Sequence, residues 1–408
     1  MAAARRGDRA TALRCWRELL QHQPDNAEAL NALGNGALAA GQLEESLRLL
    51  ERAASAAPRE PAVLFNLAAA QRACGLLSDA LASIEFALQA DPYFVQAIHQ
   101  KARLCEDLGK PAAAAAVYRD LLDTVSPAIA NDPRFASLLE HARAAVAADN
   151  QRLWERLGRA DAAPTHRMKE AAAMLAGQQR HFVAEPTFFT IPQLPALPYF
   201  PREATAWLDR LEEDFSSMAE EAGRLLGRPG PESDFEPYVA NPPGTPLNQW
   251  RDLDHNPAWS ALFFIKHGKP DPAGAMRCPR TAEVLAGMPM FDCLGRGPNA
   301  FLSLLQPRTR IPPHTGVSNC RLTVHLPLIV PESCGFRVGA ETRKWQPGKA
   351  WVFDDSIEHE AWNDSDEPRV ILIFDIWHPE LDAAEREYVR MLLAGYEQHA
   401  GRSQAAGF

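Results

Sequence analysis

The sequence predicts a multi-domain α + β fold, in which an N-terminal helical repeat region precedes a small antiparallel barrel or jelly roll. Three observations lead to this prediction. The first third of the chain repeats with a period of 34 residues. A Pro-rich stretch at 186–201 then marks a boundary between domains. Beyond it, short β-branched and aromatic runs are broken by Pro and Gly, which is typical of strands and turns rather than helices.

The repeat is visible in several registers of the first 126 residues. Four sets of positions keep the spacing of 34: Pro24, Pro58 and Pro92; Gly7, Gly41, Gly75 and Gly109; Ala12, Ser46, Ala80 and Ala114; Leu30, Leu64 and Ile98. This pattern resembles the tetratricopeptide repeat, in which each unit is a helical hairpin. The resemblance implies a superhelix over residues 1–126. Two interpretations of it stay open, namely a purely structural superhelix and a concave surface for a protein or peptide partner.

The remaining elements follow in chain order. Residues 127–184 keep a helical pattern without a clear period, and we interpret them as a helical linker region. The second domain is expected to span 185–408, with a helix from about 207 to 226 near its start and a closing helix at 383–397. Strand-like runs lie at 261–265, 299–305, 322–330, 350–353 and 370–377.

Composition narrows the classes of function and the setting. The formal net charge is -10 and there is no long basic run, which argues against a nucleic-acid partner. The seven cysteines are scattered without a CxxC motif, which is typical of reduced thiols. No stretch approaches the roughly 18 apolar residues of a membrane span, and the first nine residues lack the apolar core of a signal peptide. We therefore expect a cytoplasmic protein.

Two histidines, His314 and His359, stand near the two ends of the strand-rich segment 314–369. Such a pair suits a metal ion held inside a small antiparallel barrel. Imidazole binds Fe, Zn, Cu and Ni, so the ligand type alone leaves the metal open.

Several motifs follow one another in fixed order across residues 303–381. They include Pro313-His314-Thr315-Gly316, Asn319-Cys320-Arg321-Leu322, Phe353-Asp354-Asp355-Ser356, Glu358-His359-Glu360 and Asp375-Ile376-Trp377-His378-Pro379. This run resembles the aspartyl/asparaginyl β-hydroxylases, which depend on iron(II) and 2-oxoglutarate and use O2. The resemblance covers most of residues 185–395. It implies a double-stranded β-helix, that is, a jelly-roll or cupin-like catalytic domain with flanking helices.

The resemblance also implies a metal site. The iron ligands fall on His314 and His359. Related oxygenases carry a carboxylate two residues after the first histidine, but this chain has Gly316 there. A water held by Asp355 is expected in the vacant position. Asp355 lies four residues before His359, so on a strand both side chains would face the same way.

Further roles follow from the resemblance. Arg369 is expected to clamp the far carboxylate of 2-oxoglutarate, with help from the hydroxyl of Ser303. His325 is expected to lie near the carboxylate that chelates iron. Many family members carry a basic residue at the position of Thr323, which leaves the detail of cosubstrate binding open.

Two residues are candidates for substrate binding. Arg321 is expected to meet the substrate, because an acidic or amide side chain needs a cationic or amide partner. Arg321 alternates with Thr323 and His325, so on a strand the three share a face. Trp259 is interpreted either as a wall of the same pocket or as plain core.

These residues predict an iron(II)- and 2-oxoglutarate-dependent hydroxylase, acting on the β-carbon of an Asp or Asn residue in a peptide or protein, or of a related small acid. One alternative is a repeat-scaffold binding protein whose barrel has lost turnover. Another is a zinc or cupin-type metalloenzyme, which explains the two histidines but not Arg369 and Ser303.

Overall fold

The computed structural model describes residues 9–157, 165–226, 234–293 and 295–400. The chain divides into two compact units, Met1–Gln179 and Arg180–Phe408. Helices build the first unit, and two antiparallel sheets form the centre of the second. The predicted fold class is thereby confirmed.

The first unit is a series of antiparallel helix pairs. Its helices are α1 (Arg9–His22), α2 (Ala27–Ala39), α3 (Leu43–Ala56), α4 (Pro61–Ala73), α5 (Leu77–Ala90), α6 (Val95–Asp107), α7 (Pro111–Thr124), α8 (Pro127–Ala130), α9 (Ala136–Leu157) and α10 (His166–Leu175). Gly41, Gly75 and Gly109 lie between the two helices of successive hairpins, each at a positive φ that favours glycine. Gly7 lies outside the described residues.

Small residues let the two helices of a hairpin approach closely. Ser46 is fully buried and donates a hydrogen bond to the carbonyl of Gly34 at 2.9 Å. A Cβ on residue 34 would lie 2.5 Å from Cγ of Leu50, so that position has no room for a side chain. The large residues of the repeat, such as Leu30, Leu64 and Ile98, are buried. The 34-residue period is therefore a packing pattern.

The segment that follows the repeats also joins this packing. Helix α9 packs against α7, and Ala142 of α9 belongs to the same apolar cluster as Tyr118 and Leu121 of α7. Helix α9, which lies in the predicted linker region 127–184, thus supplies core contacts to the first unit, and that unit ends at Gln179.

The second unit holds eleven described strands in two sheets. The strands are β1 (Glu236–Pro237), β2 (Trp259–Lys266), β3 (Lys269–Pro270), β4 (Ala300–Leu305), β5 (Thr309–His314), β6 (Arg321–Ile329), β7 (Cys334–Val338), β8 (Glu341–Arg343), β9 (Trp351–Phe353), β10 (His359–Asn363) and β11 (Arg369–Trp377). The larger sheet has the order β1-β2-β4-β11-β6-β9, with β3 beside β2, and the smaller has the order β5-β10-β7-β8. From β4 to β11 the chain passes back and forth between the sheets, as in a double-sheet jelly roll.

Helices flank the larger sheet. They are α11 (Leu208–Glu213), α12 (Phe215–Leu226), α13 (Pro272–Arg277), α14 (Pro279–Ala286) and α15 (Ala383–Ala400). The single helix expected over 207–226 is divided at Asp214, whose carboxylate pairs with Arg280. No helix within the described ranges combines the length and the apolarity needed to cross a membrane.

Side chains alternate across the central strands β4, β6 and β11. On one face, apolar residues such as Leu302, Val324 and Leu372 form a core cluster that includes Leu208 and Met218 from the helices. The alternate residues of the same strands point into the space between the two sheets, and many of them are polar. The fold thus has one apolar layer outside the sheet and a partly polar interior between the sheets.

A fragment of residues 1–179 is expected to fold alone as a helical protein, whereas a fragment of residues 1–126 should be less stable. Truncation at 126 removes α9 and uncovers Tyr118 and Leu121, which are fully buried in the chain. Returning a large apolar side chain to water costs about 1.5–3 kcal/mol. Guanidinium unfolding followed by circular dichroism measures the difference. Equal unfolding midpoints for the two fragments would show that α9 does not stabilise the repeats.

Candidate active site

A cavity of about 210 Å³ lies between the two sheets of the second unit. A water molecule occupies roughly 30 Å³ of liquid, so the cavity has room for a small organic ligand. The residues that the sequence singled out all line it: Ser303, Trp259, His314, Arg321, His325, Asp355, His359 and Arg369. The structure therefore brings together every predicted site residue.

His314 and His359 are neighbours on adjacent strands. His314 ends β5 and His359 begins β10, and the two are direct partners in the antiparallel register. Their ring centroids are 4.1 Å apart. In each ring Nδ1 contacts the carbonyl oxygen two residues earlier, that of Pro312 at 2.8 Å and that of Ile357 at 3.0 Å.

These contacts define which ring nitrogen is available. A carbonyl can only accept, so Nδ1 carries the hydrogen and Nε2 keeps its lone pair in the neutral ring. Burial lowers the pKa of His314 to about 4. Burial, together with the neighbouring His314, lowers the pKa of His359 well below its ordinary value. Two neutral imidazoles with free Nε2 atoms therefore stand side by side.

Asp355 lies over Gly316, and the two fit each other sterically. A Cβ on residue 316 would lie 2.3 Å from Cγ and Oδ2 of Asp355, so the carboxyl group fills the space that a side chain there would need. The Gly316 N–H also donates to the Asp355 carbonyl at 2.6 Å. The absence of a side chain at 316 thus makes room for a carboxylate from elsewhere in the chain.

The expectation that Asp355 and His359 share a strand is wrong. Asp355 lies in a turn between β9 and β10. The carboxylate of Asp354 stabilises this turn by accepting hydrogen bonds from the backbone N–H of Ser356 at 2.9 Å and from its hydroxyl at 2.6 Å. Asp355 reaches the cavity because of this turn and not because of strand alternation. Burial raises its pKa to about 7, against the opposing effect of Arg321.

The donor set fits a metal ion that is held by two imidazoles. Within the described ranges, no three His, Cys, Asp or Glu side chains are grouped as metal ligands. The available set is the Nε2 pair of His314 and His359. In addition, Oδ1 of Asp355 is buried and has no hydrogen-bond partner among the described residues, so it can accept a hydrogen bond from a water on such an ion.

Arg369, the first residue of β11, lines the same cavity. It is 1% exposed, and one Nη donates to Ser303 Oγ at 3.0 Å. Its Nε has no partner, and no carboxylate among the described residues pairs with it. Burial lowers its pKa to about 10. A buried guanidinium without an anion is costly, so this end of the cavity favours an anionic ligand.

Ser303 is held by two donors. Its oxygen accepts from Arg369 and also from Nε1 of Trp259 at 3.2 Å. The hydroxyl hydrogen is therefore left to donate to a ligand. Trp259 is itself fixed by stacking on Tyr238, with ring centroids 4.2 Å apart. Trp259 thus positions Ser303 as well as lining the wall.

His325 lies on the inner face of β6 between aromatic rings. Its ring centroid is 4.8 Å from that of Phe353 and 4.9 Å from that of Phe336. Burial and then the charge of Arg369 lower its pKa well below the ordinary value. Its Nδ1 has no partner among the described residues. A neutral imidazole with an open ring nitrogen is thus available beside Arg369.

Arg321 is bound to two carboxylates. One Nη lies 3.0 Å from Oδ2 of Asp375, and the other lies 3.6 Å from Oδ2 of Asp355. Burial acts to lower the pKa of Arg321, but the two carboxylates outweigh burial, so the pKa is raised. Arg321 lines the cavity as predicted, but its charge is compensated inside the protein.

Comparison with known proteins identifies the domain that carries this site. A family model described as Aspartyl/Asparaginyl beta-hydroxylase matches residues 215–379. Residues 215–379 belong to the aspartyl/asparaginyl β-hydroxylase family. The resemblance inferred from the motifs is therefore confirmed.

Individual relatives share this domain. "Aspartate beta-hydroxylase domain-containing protein 2" of Xenopus tropicalis is 32% identical over 221 residues, which are 53% of this chain and 56% of that protein. Human "Aspartyl/asparaginyl beta-hydroxylase" is 40% identical over 129 residues, which are 31% of this chain and 17% of that protein. The chain thus spans little more than half the length of the Xenopus relative.

Solved structures with similar parts include two helical proteins. A crystal structure of MamA protein is 15% identical with a TM-score of 0.31, and the match covers 43% of this chain and 87% of the MamA chain. The type III secretion translocator chaperone SycD of Yersinia enterocolitica is 19% identical with a TM-score of 0.28, and the match covers 31% of this chain and 83% of the SycD chain.

Sequence reasoning missed two polar residues of this cavity, Asp375 and Asn299. Asp375 pairs with Arg321, and its Oδ2 also accepts from the backbone N–H and side-chain amide of Asn299 at 2.9 and 3.1 Å. The signal for Asp375 was available, because it lies six residues after Arg369 on one strand and so shares its face. Asn299 is the first residue of the predicted strand-like run 299–305 and lies just before β4 in the structure, but nothing in the sequence singled it out as a site residue.

Gly316→Ala is expected to lower the free energy of unfolding by about 1–3 kcal/mol, because the added Cβ overlaps the Asp355 carboxyl group and forces a shift. In an Asp355→Ala background the same substitution should cost much less, since the overlapping atoms are gone. Denaturant unfolding of the four proteins gives the coupling energy of this double-mutant cycle.

Gly223→Ala is the matched control. Gly223 is exposed in α12, and a Cβ there meets no atom within 4 Å. This change should be neutral or slightly stabilising. An equal cost of Gly316→Ala with and without the Asp355 carboxylate would contradict the observed packing.

Proposed function

We propose that the chain is a dioxygenase that uses iron(II), 2-oxoglutarate and O2 to hydroxylate the β-carbon of an Asp- or Asn-type group. Membership of residues 215–379 in the family supports hydroxylation. The main observation in favour of 2-oxoglutarate as cosubstrate is Arg369. This buried cation lines the same cavity as the histidine pair and has no carboxylate partner among the described residues. 2-Oxoglutarate offers the carboxylate that such a cation needs.

Each group of this chain then has a physical task. His314 and His359 hold the metal through Nε2, and Asp355 orients a water beside it. Arg369 and Ser303 bind the far carboxylate of 2-oxoglutarate, and His325 faces its other end. When bound, iron(II) with 2-oxoglutarate supplies the oxidising chemistry that turns a C–H bond into C–OH. The aromatic walls keep water away from the reacting groups.

The partner and the setting belong to the same proposal. The concave side of the helical repeats is proposed to bind a protein or peptide, as stacked helical repeats commonly do. All seven cysteines are unpaired, which supports a reducing compartment such as the cytoplasm.

Arg369→Ala is expected to weaken 2-oxoglutarate binding by at least tenfold. A buried carboxylate that loses its charged partner costs on the order of 2–5 kcal/mol, and each 1.4 kcal/mol is tenfold in affinity. Arg369→Lys should recover only part of the loss, since it offers a point charge and not a fork. Calorimetric titration of 2-oxoglutarate, and separately of Fe(II), under anaerobic conditions measures both affinities. The affinity for Fe(II) should change little.

Arg308→Ala serves as the control, because Arg308 is exposed and pairs with the exposed Asp366. Unchanged 2-oxoglutarate affinity in Arg369→Ala would remove Arg369 from the site. Succinate release by the parent chain separates the alternatives. Binding of metal and 2-oxoglutarate without any turnover would mean an inactive barrel. Bound zinc with no affinity for 2-oxoglutarate would mean another class of metalloenzyme.

A further inference from the structure

The charges around the cavity are unevenly compensated. Four cations line it: Lys266, Arg296, Arg321 and Arg369. Lys266 pairs with Glu236, and Arg296 pairs with Glu397. Among these four and within the described residues, Arg369 alone has no carboxylate partner. That position suits the cosubstrate, which leaves the surroundings of Arg321 to recognise the group that is hydroxylated.

The positive charge of Arg321 is compensated by carboxylates that the fold holds in place. Asp375 is 5% exposed and lies 3.0 Å from the guanidinium. Its Oδ2 also accepts the two hydrogen bonds from Asn299, so the carboxylate is fixed where it stands. Asp355 adds a second carboxylate at 3.6 Å. One guanidinium and two carboxylates sum to one negative charge. Asp375 alone balances the positive charge of Arg321, whether the carboxyl group of Asp355 is ionised or protonated.

Thr323, the next residue on the same face of the strand, adds no positive charge. Thr323 lies two residues after Arg321 on β6, lines the same cavity and is 7% exposed. A substrate carboxylate placed here would meet the fixed carboxylate of Asp375 and a cation whose charge Asp375 already balances. Like charges brought together in a buried site are strongly unfavourable.

A carboxamide suits this environment better than a carboxylate. Its carbonyl oxygen accepts from a guanidinium and its NH2 group donates to a carboxylate, both without adding charge. We propose that the site prefers an asparagine-type amide over an aspartate-type acid, and that Asp375 sets this preference through Arg321. This inference rests on the proposed function, and it chooses between the two side chains that the family description mentions.

The test uses matched probes that differ only in the amide or acid group. The first pair is N-acetyl-asparagine methylamide and N-acetyl-aspartate methylamide, and the second is a peptide library of one design with Asn or Asp at its centre. Succinate release above the substrate-free rate gives kcat/KM for each member. Saturation-transfer NMR with 2-oxoglutarate present and O2 absent gives binding without turnover. The Asn members should exceed the Asp members by at least tenfold.

Asp375→Asn should shift the Asn-to-Asp ratio at least tenfold towards Asp, because it frees the charge of Arg321. Asp364→Asn is the matched control, since Asp364 is a partly exposed partner of Arg310 outside the cavity; it should leave the ratio unchanged. Circular dichroism checks folding. If Asp375→Asn does not fold, Thr323→Lys adds a cation to the same place and should shift the ratio in the same direction.

The outcomes separate this inference from the proposed function. A wild-type preference for Asp, or a ratio unmoved by Asp375→Asn or by Thr323→Lys, overturns the inference while 2-oxoglutarate binding and turnover stand. Absence of any response to all probes, with 2-oxoglutarate binding intact, also overturns it. Failure of the parent chain to bind 2-oxoglutarate at all overturns the proposed function, and the inference falls with it.

Discussion

The second unit depends on the alternation of side chains across three central strands of its larger sheet. Outward residues such as Leu302, Leu326 and Phe374 supply the apolar layer against the helices. The interleaved inward residues are free to be polar, because the stability of the sheet comes mainly from its other face. Ser303, Arg321, Thr323, His325, Arg369 and Asp375 all follow from this division. The smaller sheet then closes over them and brings the histidine pair.

Polar groups inside the fold are handled in two physically different ways. Arg321 pairs with the carboxylates of Asp375 and Asp355, so its charge is compensated within the protein. Among the described residues, Arg369 has the hydroxyl of Ser303 as a hydrogen-bond partner and the ring of Trp345 5.1 Å away, but no carboxylate. It is therefore a site of unfavourable free energy that a bound anion relieves. We propose that this contrast directs an anionic ligand to Arg369.

The sequence was sufficient for the repeats and for five of the seven described strands of the larger sheet. Long apolar and β-branched runs predicted β2, β4, β6, β9 and β11, because those strands are buried and their composition reflects it. The strands of the smaller sheet were not predicted one by one. β5 contains Pro312 and Pro313, and β8 has only three residues, so neither carries the apolar run that marks a strand.

The sequence predicted which residues meet in the cavity, but not how they are arranged there. The motifs gave the histidines, Asp355, Ser303 and Arg369, and all of them meet in one cavity. The pairing of Arg321 with Asp375 joins residues 54 positions apart, and local sequence does not contain such a contact. The turn that carries Asp355 is stabilised by the hydrogen bonds from Ser356 to the Asp354 carboxylate, and the sequence analysis did not predict where that turn would direct Asp355.

The most direct test of the central claim is a crystal structure of the full chain grown without oxygen in iron(II) and 2-oxoglutarate, with anomalous data at the iron edge. The iron peak is predicted beside Nε2 of both His314 and His359, and the far carboxylate of 2-oxoglutarate is predicted on Arg369 and Ser303. Iron at another place, or a carboxylate on Arg321 with Arg369 left unpaired, would contradict it.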